Sequence, residues 1–301
     1  MNTDSYFQIG SSHGVCEDYA ASGVVNEDIS YVIVADGCSS AENVDIGARI
    51  LVQVAIESLT QYYTGSNKLG FEKGTVAFEK FEDLLRSSIV WKALGIVKQL
   101  GLCYTSLCST LLIGITDGIT TNVFVYGDGA IRIKYQNKMI EHYEIEYESN
   151  APYYMIYTTN KEDSIMYNLN HGNKVTEIRK TLVKENELVR TSDFTKTYGQ
   201  NHYSNMSFTF KDVRSLTLMS DGVCSFRKPE NAEEPGNPES NNYIDINSNE
   251  IIENITSFKK FKGEFVKRRM NRFNKNCHKD GIDHYDDISV ASFFNHINHI
   301  N

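Results

Sequence analysis

Residues 109–129 read "STLLIGITDGITTNVFVYGDG". Two apolar, β-favouring runs flank Asp117-Gly118, and a second Asp-Gly closes the stretch. Asp-Gly tolerates the positive φ angles of a type I′ turn, so the pattern predicts a tight antiparallel hairpin. Working outward, "AIRIKYQ" and "KMIEHYEI" supply the next antiparallel pair. Upstream, "YVIVADG" (31–37) is a buried-type strand that ends on a carboxylate. Downstream, "SLTLMSDG" (215–222) repeats that ending, and "ISVASFF" (288–294) is entered through Asp286-Asp287.

Helices are expected on either side of these strands. Residues 45–63 space Ile46, Ile50 and Val54, and Leu51, Ala55 and Leu59, at helical intervals, with Asp45 as N-cap. Residues 78–100 place Phe81, Leu85, Ile89, Ala93 and Ile96 on one face, with Gly101 just beyond the end. A third helix is expected over about 249–275. Residues 150–214 are polar and yield only short strands around "YMIYTT" and "SFTFK". Hairpin strands with a few helices make this an α+β chain with antiparallel sheets. No repeat or long low-complexity linker divides residues 1–301, so one domain is expected. A loop over 226–248 holds three of the four prolines, and "HINHIN" (296–301) reads as a frayed tail with two histidines.

Composition narrows the class. The 301 residues are 41% hydrophobic and 23% charged, as in ordinary globular proteins. No stretch approaches the ~20 apolar residues of a membrane span, and no basic-then-apolar leader opens the chain. A cytoplasmic protein without a membrane partner is expected. The six cysteines (16, 38, 103, 108, 224, 277) form no C-x-x-C pair and read as reduced thiols. A net charge of −9 argues against nucleic acid as a partner. The basic stretch 259–279 is read as a solvated helix face or a dock for an acidic partner.

The carboxylates carry the chemistry. Asp36, Asp128 and Asp221 each end a strand and precede glycine; Asp286 and Asp287 open the last strand; Glu17 and Asp18 precede the first core strand. Strand ends of one sheet system can meet. Carboxylates gathered in one cleft repel unless cations lie between them, and hard Mg²⁺ or Mn²⁺ ions suit an all-oxygen set. Two such ions can align a water for attack on phosphorus.

In order along the chain, "HGVCEDYA", "VIVADGCSSAENVDIGA", "CSTLLIGI", "VFVYGDGAIRI", "LTLMSDGVCSF" and "YDDISVASF" resemble the successive motifs of the metal-dependent (PPM, type 2C) serine/threonine protein phosphatases. The resemblance covers about residues 8–294 and is nearer to a divergent bacterial branch. It implies a four-layer αββα sandwich, two antiparallel sheets flanked by helix pairs. It also implies two Mn²⁺ or Mg²⁺ ions per site. Glu17 would hold one ion, Asp36 would bridge, the Gly37 carbonyl would join them, and Asp221 and Asp286 would hold the other. Asp18 and Asp287 would orient metal waters, Asp287 standing where many relatives have Asn. The implied reaction is hydrolysis of a phosphoserine or phosphothreonine monoester in a phosphoprotein, opposed by a protein kinase. No phosphoenzyme forms, so no cysteine is needed as nucleophile.

Three departures stand beside the resemblance. His13 replaces the phosphate-binding Arg, Cys38 replaces a His after the bridging Asp-Gly, and Ser225 replaces an Asp of a third metal site whose other acid survives as Asp128. They keep a rival open, a phosphatase-fold binding or regulatory module with little activity. A two-metal nucleic-acid hydrolase rests only on the basic stretch.

Overall fold

A computed structural model describes residues 1–64, 75–147, 150–171, 175–184, 187–197, 206–229 and 243–296, with backbone alone at 175–180, 184, 187–190 and 192–197. Two antiparallel sheets form its centre. The five-stranded sheet runs β10 (Met206–Lys211), β5 (Thr120–Tyr126), β4 (Ser109–Thr116), β3 (Ser30–Gly37), β2 (Tyr19–Val24). The seven-stranded sheet runs β1 (Asn2–Gln8), β15 (Ile288–Phe294), β11 (Val213–Met219), β6 (Gly129–Tyr135), β7 (Ile140–Tyr147), β8 (Val175–Lys184), β9 (Glu187–Thr197).

The sequence of β3 explains its position. Val32 and Val34 face the other sheet, packing with Leu112, Ile131, Leu216 and Phe293. Ile33 and Ala35 face the opposite way, onto the helices α1 (Val44–Tyr63) and α2 (Val76–Leu100). A strand covered on both faces has no reason to alternate polar residues, so it reads as a continuous apolar run. On the outer face of the seven-stranded sheet, α4 (Ser248–Thr256) and α5 (Phe265–Lys279) bury Ile252, Ile255, Val266 and Met270 against Met219 and Val290. The layers are therefore αββα, as the resemblance implies.

Several local expectations are corrected. The hairpin between β4 and β5 pairs as predicted, Thr116 opposite Thr121, but its turn is not type I′. Only Gly118 has positive φ (87°), and Asp117 Oδ1 instead accepts N–H bonds from Ile119 and Thr120 (3.0 and 2.8 Å) in an Asx turn. Asp45 lies in the first turn of α1; Asn43 holds the cap position with φ 57° and no side-chain bond. At α2 the Thr75 hydroxyl accepts from Phe78 N–H, and Gly101 closes the helix at φ 69°. "YMIYTT" is a 3-10 turn, Met155–Thr158, followed by α3 (Lys161–His171), which buries none of its residues.

The helix expected over 249–275 is two helices. Between them Phe258 and Phe261 pack edge-on against Phe265 (ring centroids 5.1 and 5.6 Å), and Gly263 turns the chain at φ 60°. Helix α5 buries Phe265, Met270 and Phe273 and exposes Lys267, Arg268, Arg272 and Lys275, so the basic run is the outer face of an amphipathic helix. The ends of the 226–248 loop pair as strands β12 (Phe226–Pro229) and β13 (Tyr243–Asp245), with β14 (Asp283–His284) completing a small sheet. Residues 230–242 and the tail beyond His296 lie outside the described residues. Among the described residues no helix is long and apolar enough to cross a membrane.

Gly47 fixes the distance between α1 and the 3-10 turn Tyr104–Leu107. A Cβ there would lie 1.6 Å from the backbone oxygen of Ser106. Gly47→Ala is expected to cost about 3 kcal/mol, because backbone rather than a movable side chain must yield. A urea midpoint unchanged from wild type would show that α1 can slide away.

Candidate functional site

One end of the sandwich collects the acids. Asp36 sits on β3, opposite Thr110 of β4. Asp18 immediately precedes β2, and Asp221 begins a 3-10 turn, Asp221–Cys224, two residues after β11. Asp286 and Asp287 lie between β14 and β15, and Asp128 lies in the turn from β5 to β6. Strands from both sheets thus deliver carboxylates to one place, although the chain segments are as much as 270 residues apart.

The innermost acids touch one another. Asp18, 1% exposed, accepts the Ser220 hydroxyl on Oδ2 at 2.6 Å and lies beside Asp36. Asp36 in turn lies beside Asp221. Carboxyls this close repel as anions, which favours their protonated forms. Burial, against the help of Ser220, pushes Asp18 up to about 8. Burial and then the charges of Asp18, Asp221 and Asp128 hold Asp36 well above the usual carboxylate range. Asp128, 6% exposed, is raised by burial and by Asp221. Asp286 is pushed up to about 6 by burial and then by Asp221.

Asp287 behaves differently. Its Oδ1 accepts Gly10 N–H at 2.6 Å and its Oδ2 accepts Glu17 N–H at 2.5 Å, while His13 Nδ1 lies 3.1 Å from Oδ2. The carboxylate therefore fastens the 10–17 loop to the start of β15. His13 Nε2 is 3.7 Å from Asp286 Oδ1. Burial opposes the imidazolium, yet Asp287, Asp286 and Glu17 together raise its pKa above the ordinary value. Glu17 stands at the rim, its Oε2 accepting the Ser39 hydroxyl at 2.7 Å.

Close backbone packing explains one of the glycines. A Cβ on Gly222 would lie 1.7 Å from the Asp287 carbonyl oxygen, so the "SDG" turn can press against the 286–287 segment only with glycine. Gly37 is likewise buried at the end of β3. The substituted positions have protein partners. Ser225 donates to the Gly222 carbonyl at 2.7 Å, and Cys38 Sγ is 3.0 Å from Ser40 Oγ.

Among the described residues, no three His, Cys, Asp or Glu side chains stand in the arrangement of a formed metal site. The chemistry of the donor set nonetheless fits hard cations. It is all oxygen, burial and neighbouring acids raise Asp36 and Asp286 within it, and Asp18 Oδ1 and Asp221 Oδ1 are buried atoms without partners. Beside it opens a cavity of about 340 Å³ lined by Asp128, Glu144, Tyr147, Asp221, Tyr285 and Asp286. Sequence reasoning missed Ser220, which joins Asp18 to β15 by also accepting Ser289 N–H at 2.9 Å. Its signal was available, since a hydroxyl directly before the strand-end Asp can reach a neighbouring acid. It missed Ser39 too, which no pattern marked.

Comparison with known proteins supplies the context. Among curated proteins none matches significantly in sequence. A bacterial serine phosphatase crystal structure aligns over 100% of both chains with a TM-score of 0.53 at 11% identity. The serine/threonine phosphatase Stp1 from Staphylococcus aureus aligns over 97% of this chain and 94% of its own, with a TM-score of 0.52 at 11% identity. Those likenesses concern the fold. The family model for protein phosphatase 2C matches residues 10–245, from the His13 loop past the Asp221 turn. The chain belongs to the protein phosphatase 2C family.

Proposed function

We propose that the chain is a single-domain, metal-dependent phosphoserine/phosphothreonine protein phosphatase. The observation that carries the reading is the convergence of Asp18, Asp36 and Asp221 at the strand ends of a protein phosphatase 2C fold. Two Mn²⁺ or Mg²⁺ ions, held by Glu17, Asp36, the Gly37 carbonyl, Asp221 and Asp286, would neutralise the acids, bind the phosphate and activate water.

The chain's own groups then have distinct tasks. Asp36, anchored by β3, fixes the centre of the site; Asp18 and Ser220 hold it from the β2 side. Asp287 sets the loop that carries Glu17 and His13. His13, its ring held by Asp287, brings positive charge to the edge of the site, where a phosphate oxygen or the leaving alkoxide would meet it. An imidazolium is a weaker phosphate clamp than a guanidinium, so modest substrate affinity is expected. The substrates on this reading are phosphoproteins, with an opposing kinase.

The alternative, a binding or regulatory module, draws on His13 and Cys38 at positions where the resemblance expects Arg and His. Phosphate release from a phosphothreonine peptide and an aryl phosphate, with Mn²⁺, Mg²⁺ or chelator, separates the two. Metal-dependent release abolished by chelation is the expected result. A folded protein that releases no phosphate with either metal would favour the module.

A further inference from the structure

Two cysteines face each other directly behind the acidic centre. The β3–β4 ladder pairs Asp36 with Thr110 and Gly37 with Ser109, and the next step sets Cys38 opposite Cys108. One bond joins the two residues, Cys38 N–H donating to the Cys108 carbonyl at 2.9 Å, while the Cys108 N–H turns back to the Thr105 carbonyl. Both pack into the same apolar cluster on the helix side of the five-stranded sheet. Cys38 is partly exposed, while Cys108 is 6% exposed and donates its thiol to the Tyr157 hydroxyl at 3.9 Å. With N–Cα ~1.46 Å and carbonyl oxygen to Cα ~2.4 Å, a single such bond keeps the two Cα atoms at most ~6.8 Å apart. That lies within the ~4.4–6.8 Å span of a disulfide.

We infer that Cys38 and Cys108 form an oxidisable dithiol, a site that hydrogen peroxide converts to a disulfide. The Cys38 thiolate attacks one peroxide oxygen; the O–O bond breaks, hydroxide leaves, and Cys38 becomes a sulfenic acid. The Cys108 sulfur then attacks the Cys38 sulfur. The S–O bond breaks and water leaves with the Cys108 proton, so one peroxide is reduced to two waters for each disulfide formed. Cys38 is the accessible, attacking member; Cys108 is shielded and is reached only through it.

The bond has a consequence for the neighbouring site. Opposed Cβ atoms must close from ~5 Å to ~3.8 Å to form it. Gly37 lies between Val44 and the Glu17 carbonyl, where an added Cβ would come within 2.9 and 3.0 Å of them, so its displacement is passed on to these neighbours. Oxidation therefore displaces the Asp36–Gly37 strand end and weakens cation binding about tenfold, as displaced supporting groups do. This consequence rests on the metal-centre reading; the disulfide itself does not.

Chelated protein is treated with hydrogen peroxide, alkylated, digested without reductant and mapped by mass spectrometry, and Mn²⁺ affinity is measured by calorimetry before and after. The expected result is a Cys38–Cys108 cross-link removed by dithiothreitol, with Mn²⁺ bound about tenfold more weakly while it persists. Cys108→Ser is expected to give no cross-link and a dimedone-trapped sulfenic acid at Cys38. Free alkylation of Cys38, or its linkage to Cys103 or a second chain, overturns the dithiol. A cross-link with unchanged Mn²⁺ affinity overturns its effect on the centre. Reduced protein that binds no Mn²⁺ overturns the metal-centre reading and leaves the cross-link result standing.

Discussion

Asp36→Asn is expected to abolish metal-dependent phosphate release while raising the melting temperature of the metal-free protein. Both effects follow from the same carboxylate. Asp36 touches Asp18 and Asp221, and its own pKa is driven up by burial and by the charges of Asp18, Asp221 and Asp128. It is therefore a source of strain in the metal-free folded chain. An amide of the same shape removes one of the mutually repelling charges and can donate to a neighbouring carboxylate, which stabilises the fold. The same amide removes the anionic oxygen on which, in our reading, both ions depend. Loss of that group is expected to lower phosphate release at least about a thousandfold, beyond the range typical of losing one neutral hydrogen-bond donor. A site traded against stability in this way is a common cost of function. The check is paired: initial rates with Mn²⁺ on a phosphothreonine peptide, and thermal unfolding in chelator. Retained activity would remove Asp36 from the centre. Lowered stability without metal would show that the acids do not repel one another in the folded chain.

Much of the framework was legible because local and long-range preferences agree. The 109–129 hairpin, the doubly covered strand β3 and the stripes of α1 and α2 read correctly apart from Ile46, which is 36% exposed, since burial on one or both faces imposes a period the residues display. What failed did so for identifiable reasons. Residues 249–275 keep apolar residues at helical spacing across a break at 257–264, where Gly263 takes φ 60° and Phe258 packs on Phe265. In the region 150–214 "SFTFK" forms β10 as expected, while the 3-10 turn, α3 and the hairpin β8–β9 lack a strong apolar stripe; α3 exposes Ile165, Met166 and Leu169. The acids were recognisable singly by their place at strand ends. Their contact was not, because it depends on registers between strands far apart in sequence. Asp287 illustrates the limit: sequence places it beside Asp286, while its bonds to Gly10 and Glu17 make it the fastener of a different segment.

The stability of the metal-free protein is expected to fall as pH rises from about 4 to about 8, the reverse of the usual behaviour of paired carboxylates. The sign follows from the direction of the shifts. Asp18, from an ordinary 3.8, is pushed up to about 8 by burial, Asp286 to about 6 by burial and Asp221, and Asp36 and Asp128 are raised as well. A carboxyl whose pKa is higher folded than unfolded binds its proton more tightly in the folded state. Its contribution is fully present below the unfolded pKa and is lost as pH climbs through the folded one. Each unit of upward shift is worth roughly 1.4 kcal/mol, so the buried acids together make the loss several kcal/mol. Cations substitute for those protons, and their binding is favoured where the ligands are already deprotonated. The rise in melting temperature on adding Mn²⁺ is therefore expected to be small at pH 5 and large at pH 8. Asp36→Asn should flatten both trends. Thermal unfolding of wild type and variant at pH 5, 6, 7 and 8, in chelator and in Mn²⁺, measures this directly. A metal-free stability that instead rises over this range would mean that fixed positive charge or backbone donors already neutralise the acids. The centre would then have no unmet need for a cation.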